Sequence, residues 1–409
     1  MTTDVSEVHP FLDALHLHVD SFLDHLHTLG YAPQSVVDTR SIVVAFARWS
    51  ESKRIVLDEI TEEHLAAFAK RRAFRPRTPV ELRALRKFLK HLRVERGLPP
   101  QAGGGQLGPV DELTERYRGY LLADRGLAKN SALVYVPCVH HFLAYRFAKT
   151  GSLALETLDA ETIRAFLVER IAPRSSESAR LLSIALRSFL RFLFLRGETS
   201  RDLSPAVPMV RTYQQSGVPA VLSAEEIERV LAVTDRSTTR GRRDHAILLL
   251  LARLGLRAGE IASLELNDVD WRAAEIVVRG KGAQLDRVPL LADVGQAIAS
   301  YLQDRGASVS RRIFLRLIPP RVGLSGPAAI DHMVRLALTR ASVRPVHRRV
   351  SHLFRHSLAT RMIRHGASIS EIAEVLRHRS QSTTAVYAKV SFDVLRTVAR
   401  PWPTGGGAR

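Results

Sequence analysis

The chain has 409 residues, 60 Lys and Arg against 41 Asp and Glu, a formal charge of +19 and a pI near 10.8. That length predicts two or three domains, and the excess of positive charge points to an anionic partner, with nucleic acid first because phosphate neutralisation drives such binding. Cys138 is the single cysteine, which excludes an intramolecular disulfide or a cysteine-based zinc cluster, and the longest helix-like apolar run, Ala246 to Ala252, is too short to cross a bilayer.

The N-terminal stretch MTTDVSEVHP has no basic segment followed by an apolar one, so no secretory signal is expected. His9, His16, His18, His25, His27, His140 and His141 fit no compact ligand set, and no metal site is expected of them. From about residue 11 the apolar spacing is of the i, i+3, i+4, i+7 kind, which predicts helices.

A weak pattern recurs about one hundred residues later. Gly30, Phe46 and Trp49 return as Gly126, Phe142 and Tyr145. LDEITEEHLAAF (57–68) returns as LETLDAETIRAF (155–166), and Leu85, Phe88, Leu89 and Leu92 return as Leu186, Phe189, Leu190 and Leu193. The expectation is two copies of one helical module, at 11–100 and 111–205. A Gly/Pro-rich tether, PPQAGGGQLGPV, covers the 101–110 linker between them. Gly103, Gly105 and Gly108 satisfy G-x-G-x-x-G by spacing, but no strand precedes them, as a dinucleotide site requires.

A second boundary falls in 204–220, and a third domain is expected over 216–400. Ser223 with Glu226, and Ser368 with Glu371, have capping-box spacing and predict helix starts. An apolar helix is expected over 244–254. EIVVR (275–279), a Gly-Lys-Gly turn and RVPLL (287–291) predict a β-hairpin with Lys281 at its tip.

The residues able to carry chemistry lie in this third domain. LGLRAGEI places Arg257 three residues before Glu260, a spacing at which a carboxylate can hold one edge of a guanidinium and leave the other for a phosphate. SHLFRHSLAT brings His352 and Arg355, with Leu353, Phe354, Leu358 and Met362 as apolar anchors. VLRHRSQSTTAVYAKV brings His378 and Tyr387. Two arginines can stabilise the charge of a five-coordinate phosphorus, and a phenol needs a base or a positive field to become a nucleophile near neutral pH. No carboxylate cluster for magnesium and no P-loop motif is evident, so neither cofactor, metal nor ATP is expected.

In order and spacing these motifs resemble the tyrosine recombinase family, the phage-integrase-like enzymes, over about residues 215–400. The upstream modules resemble the family's SAM-like core-binding domain. The resemblance implies a mainly α chain with a small β-sheet in its catalytic domain. It also implies Arg257 and Arg355 as phosphate clamps, Lys281 as the hairpin lysine, His352 and His378 as active-site histidines, and Tyr387 as the nucleophile. His352 is then the candidate base, Lys281 the candidate acid for the leaving 5′-oxygen, and His378 a donor to the phosphate.

Two features depart from the family pattern: Arg377 stands where a small residue, often glycine, precedes the second histidine, and the helical module is doubled. Lys70, Arg71, Arg72, Arg75, Arg77, Arg242, Arg243, Arg348 and Arg349 lie in basic clusters suited to backbone phosphates. The segment 390–402 reads as a short amphipathic helix for a neighbouring protomer or for its own domain.

The expected partner is double-stranded DNA bearing specific recombination sites, engaged by a homotetramer or by an assembly with related recombinases. The expected setting is a bacterial cytoplasm at the nucleoid. The reading is an integrase or recombinase, with a mobile element as its expected setting; a type IB topoisomerase or a non-catalytic DNA-binding accessory protein are the alternatives.

Overall fold

The structure, a computed structural model, describes residues 10–55, 59–71, 78–97, 108–171, 176–210, 220–280, 284–344 and 350–378. The chain divides into two compact units, one of residues 61–63 with 99–216 and one of the remainder. The 101–110 tether lies mostly outside the described residues, as does most of 204–220 beyond residue 210.

Four helices come first: α1 (Pro10–Thr28), α2 (Pro33–Ser52), α3 (Glu62–Arg71) and α4 (Thr78–Glu95). Their apolar faces meet in one core, with Phe22 edge-on to Phe88 at 5.4 Å between ring centroids and Phe46 edge-on to Phe68 at 5.3 Å. Four more follow: α5 (Pro109–Gly119), α6 (Lys129–Thr150), α7 (Ala160–Ile171) and α8 (Ser176–Leu195), α5 running on into a π-helical turn over Tyr120–Asp124. Tyr117, Phe142, Phe166, Phe189 and Leu193 fill their core. The residues that recur in sequence, Phe46 and Phe142, Phe88 and Phe189, Leu92 and Leu193, are buried within their own cores.

The C-terminal part is helical with one small sheet. It contains α9 (Ala224–Ala232), α10 (Thr239–Leu254), α11 (Ala258–Ser263), α12 (Ala292–Asp304), α13 (Pro327–Arg340), α14 (Ser351–Arg364) and α15 (Ile369–Val375). Both capping boxes form: Ser223 accepts from the Glu226 amide and Ser368 from the Glu371 amide. The apolar helix expected over 244–254 starts earlier, at Thr239, because the Thr238 hydroxyl caps it by accepting from the Gly241 amide at 3.0 Å.

The hairpin forms as an antiparallel pair, β2 (Glu275–Arg279) with β3 (Leu285–Pro289), in the register Val277 opposite Arg287 and Arg279 opposite Leu285. The second strand begins two residues before the expected 287 and ends at Pro289. Leu285 and Asp286 already pair with Arg279 and Val278, while the Leu290 amide turns to bond the Ala274 carbonyl. A short strand not expected from sequence, β1 (Val269–Asp270), adds to the other edge of β2. Arg279 at the end of β2 pairs with Asp268, whose side chain is buried.

From Ala246 to Ala252 the helix α10 is buried on every side, and it forms the centre of this core with α12 and α14. It ends at Gly255, which has φ +58°. A Cβ built there would stand 2.9 Å from a Leu358 methyl and 3.0 Å from a Leu376 methyl. Gly255→Ala combines left-handed strain with overpacking, so urea unfolding should report a loss of roughly 2–4 kcal/mol. An unchanged midpoint would show that this corner can relax.

Among the described residues no helix is long and apolar enough to cross a membrane.

Candidate active site

The turn that Gly255 makes possible carries Arg257 into position as the residue before α11. Glu260 accepts the Arg257 amide at 2.9 Å and its guanidinium at 2.6 Å. The carboxylate is 6% exposed while the Arg257 side chain is 37% exposed, so one edge of the guanidinium is held and the rest faces outward. The pair expected from the Arg-x-x-Glu spacing therefore forms, with Arg257 as the cap rather than as a helical residue.

Arg355 sits one hundred residues after Gly255, on α14, where Leu353, Phe354 and Leu358 are buried and Met362 packs at the edge of a smaller cluster. Arg355 itself is 3% exposed. It donates to the Gly255 carbonyl at 2.5 Å and to the Leu376 carbonyl. One guanidinium thus ties the corner before Arg257 to the segment that ends in His378.

That segment follows α15. His378 bonds through its amide to the Ala373 carbonyl at 2.8 Å. Burial pushes the imidazole pKa down to about 4, reinforced by the positive charges of Arg355, Arg257, His356 and Arg377. The ring is therefore neutral near pH 7, a donor of one N–H that carries no charge of its own.

Between about 4 and 6.5 the unfolded chain binds the proton that the folded chain rejects, so this histidine lowers stability as pH falls through that window and not above it. A histidine-resolved NMR titration of the DNA-free protein should find the His378 imidazole still neutral at pH 5. If His378 titrates near 6.5 instead, the field described here is wrong.

His356, one turn after His352 with ring centroids 6.2 Å apart, belongs to this cluster and was missed by reading motifs. Its place directly after Arg355, at i+4 from His352, was the available signal. Arg377 was legible only as an oddity. Its φ is +53°, which accounts for a small residue being usual there, and its guanidinium turns inward to Glu260 at 2.9 Å. Burial works to raise the Glu260 pKa, but the Arg257 amide and the Arg377 and Arg257 charges hold it below the ordinary value.

Lys281 and Tyr387 lie outside the described residues, although both strands flanking Lys281 are in place. Of the basic clusters, Lys70 and Arg71 are exposed at the end of α3. Arg242 pairs with Asp304 and bonds the Arg236 carbonyl at 2.7 Å. Arg243 pairs with Asp244 at 2.7 Å and bonds the Leu315 carbonyl at 3.0 Å. These two guanidiniums are engaged within the fold. Arg72, Arg75, Arg77, Arg348 and Arg349 lie outside the described residues, as does the 390–402 segment.

Residues 220–393 match the Phage integrase family and residues 114–197 its N-terminal SAM-like domain. Among solved structures, the XerH site-specific recombinase in a post-cleavage complex with palindromic difH covers 97% of this chain and 98% of its own, at 17% identity and TM-score 0.54. A lambda integrase (75–356) dimer bound to a COC′ core site covers 72% and 98%, at 16% and 0.52. Both show the shared fold.

Tyrosine recombinase XerD of Listeria monocytogenes serotype 4b is 28% identical over 69% of this chain and 95% of its own length. A Sinorhizobium fredii protein bearing the name integrase/recombinase y4rA is 37% identical over 95% of this chain and 94% of its own length. With that extent of identity, the chain belongs to the phage integrase family of tyrosine recombinases, enzymes that cleave DNA and transfer its strands.

Proposed function

We propose that this enzyme is a site-specific integrase or recombinase of a mobile element, acting on double-stranded DNA through Arg257, Lys281, His352, Arg355, His378 and Tyr387. The observation that carries the reading is the convergence of Arg257, Arg355 and neutral His378 on one corner, where a phosphate would meet two guanidiniums and an N–H donor.

In this mechanism the Tyr387 Oη attacks phosphorus and a P–O bond forms, the phenolic proton passing to His352. The P–O5′ bond breaks, and the 5′-oxygen takes a proton from Lys281. The product is a 3′-phosphotyrosyl link and a 5′-hydroxyl. A 5′-hydroxyl from a second duplex reverses each step, so the bond energy is conserved and no ATP is consumed. The structural neighbours solved as dimers and tetramers on DNA support a tetramer on two sites for this chain too.

The helices α1–α4 repeat the order of α5–α8 and bury the recurring residues in the same way, which supports two copies of one module. In this reading the second copy forms the usual half of the DNA clamp and the first extends the footprint. Exposed Lys70 and Arg71 are then phosphate contacts.

The test uses nicked duplexes tiled across the DNA flanking the protein's own gene, which trap a cleaved strand by letting the short downstream fragment with its new 5′-hydroxyl diffuse away. A protein–DNA adduct on a denaturing gel, formed in EDTA, is the expected result. Absence of any adduct across the tiling would sink the reading. Relaxation of one supercoiled circle without exchange between two duplexes would point instead to topoisomerase activity.

A further inference from the structure

The structure assigns to Arg377 a positioning role in strand cleavage: it couples the base of the β2–β3 hairpin to the Arg257–Glu260 pair. Three observations carry this. The Arg377 side chain is 8% exposed, shielded like a core residue although it bears a full charge. Its Nη2 donates to Glu260 Oε2 at 2.9 Å, the same oxygen that accepts the Arg257 amide. Its Nε points toward Asp286 Oδ2 at 3.9 Å, and that nitrogen, though buried, makes no hydrogen bond.

Asp286 lies at the foot of the hairpin tip. It pairs with Val278 across the strands, and its Oδ2 is 3.6 Å from where a Cβ on Gly280 would stand. Gly280 in turn donates its amide to the Gln284 carbonyl at 2.8 Å, closing the last described rung before Lys281. One planar guanidinium with several donors can hold two carboxylates at once, which a lysine could not do with the same geometry.

The positive φ of Arg377 belongs to the left-handed turn that ends α15, where its amide bonds the Glu374 carbonyl at 2.9 Å and the His378 amide bonds the Ala373 carbonyl at 2.8 Å, and this turn swings the side chain inward to Glu260. The unmet Nε is about an ångström short of a full bond to Asp286, so the hairpin base has a defined seat to settle into when phosphate draws the charged groups together. Arg377 thereby registers the hairpin against the clamp on the attacked phosphate.

The inference rests on Lys281 as the proton donor to the leaving oxygen, and the experiment separates the two. Cleavage is compared on an ordinary suicide duplex and on one whose scissile 5′-oxygen is replaced by sulfur; the P–S bond then breaks to give a thiolate, which leaves without a proton. Arg377→Gly removes the side chain and suits the positive φ, so the fold should survive. It should slow the oxygen substrate by roughly 10–100-fold and the sulfur substrate by less than about threefold. Asp286→Asn should show the same selectivity, with no further loss in the double variant.

Hydrogen exchange at the Gly280 amide should quicken in both single variants. Equal slowing on both substrates, or wild-type rates, overturns the proposal. If Lys281→Met itself lacks the oxygen-selective defect, the lysine assignment falls, and unchanged exchange at Gly280 would then overturn the coupling while faster exchange would uphold it.

Discussion

Arg355→Gln should lower the rate of adduct formation by roughly a thousandfold or more while leaving a folded protein. Removing a donor aimed at developing oxyanion charge costs about two to three orders of magnitude, and removing a guanidinium from a phosphoryl transition state costs about three to five. Arg355 lies at the upper end because it is 3% exposed, where little water screens its charge. It also holds the Gly255 and Leu376 carbonyls, so stability should fall too, by about 1–3 kcal/mol for the bonds that glutamine cannot remake.

The two losses can be told apart. The Arg355 charge is among the causes that hold His378 down to about 4, so in Arg355→Gln the imidazole should titrate at a higher pH. Arg355→Lys keeps the charge but not the fork, and is expected to hold His378 low while recovering little cleavage. A glutamine variant that cleaves within tenfold of wild type would remove Arg355 from the clamp.

Tyr387→Phe should abolish the covalent adduct entirely, because the phenyl ring offers no oxygen for phosphorus. DNA binding should persist, as the phosphate contacts belong to other residues and their strength depends on salt rather than on this hydroxyl. Retained adduct in the variant would transfer the nucleophile's role elsewhere. Loss of binding along with the adduct would show that the tyrosine's chief part is structural.

Much of this site was legible because its parts are local. Arg257 and Glu260 are three residues apart, and a backbone turn brings them together whatever else the chain does. The two capping boxes and the hairpin are of the same kind, each satisfied by neighbours within a few residues. Boundaries were less legible. The start of α10 depended on the Thr238 cap, and β1 exists because β2 offers it an open edge.

Arg377 shows the limit most clearly. As a letter in the sequence it was a departure beside His378, an extra charge with an uncertain backbone. In the fold it is a buried cation between Glu260 and Asp286, residues far from it in the chain. His356 is the same case: its motif was in view, but only packing places it where it bears on His378.

The sequence by itself determined the kinds of residue, their order, the helical modules and the chemistry of the family, since periodicity, caps and motifs are short-range. Only the tertiary structure decided that Arg355 is buried across two main-chain carbonyls, that His378 is neutral, and that Arg377 faces inward. The physical reason is that burial and electrostatic fields are sums over neighbours contributed by α10, α11, α14, α15 and β3. No window of sequence contains that sum.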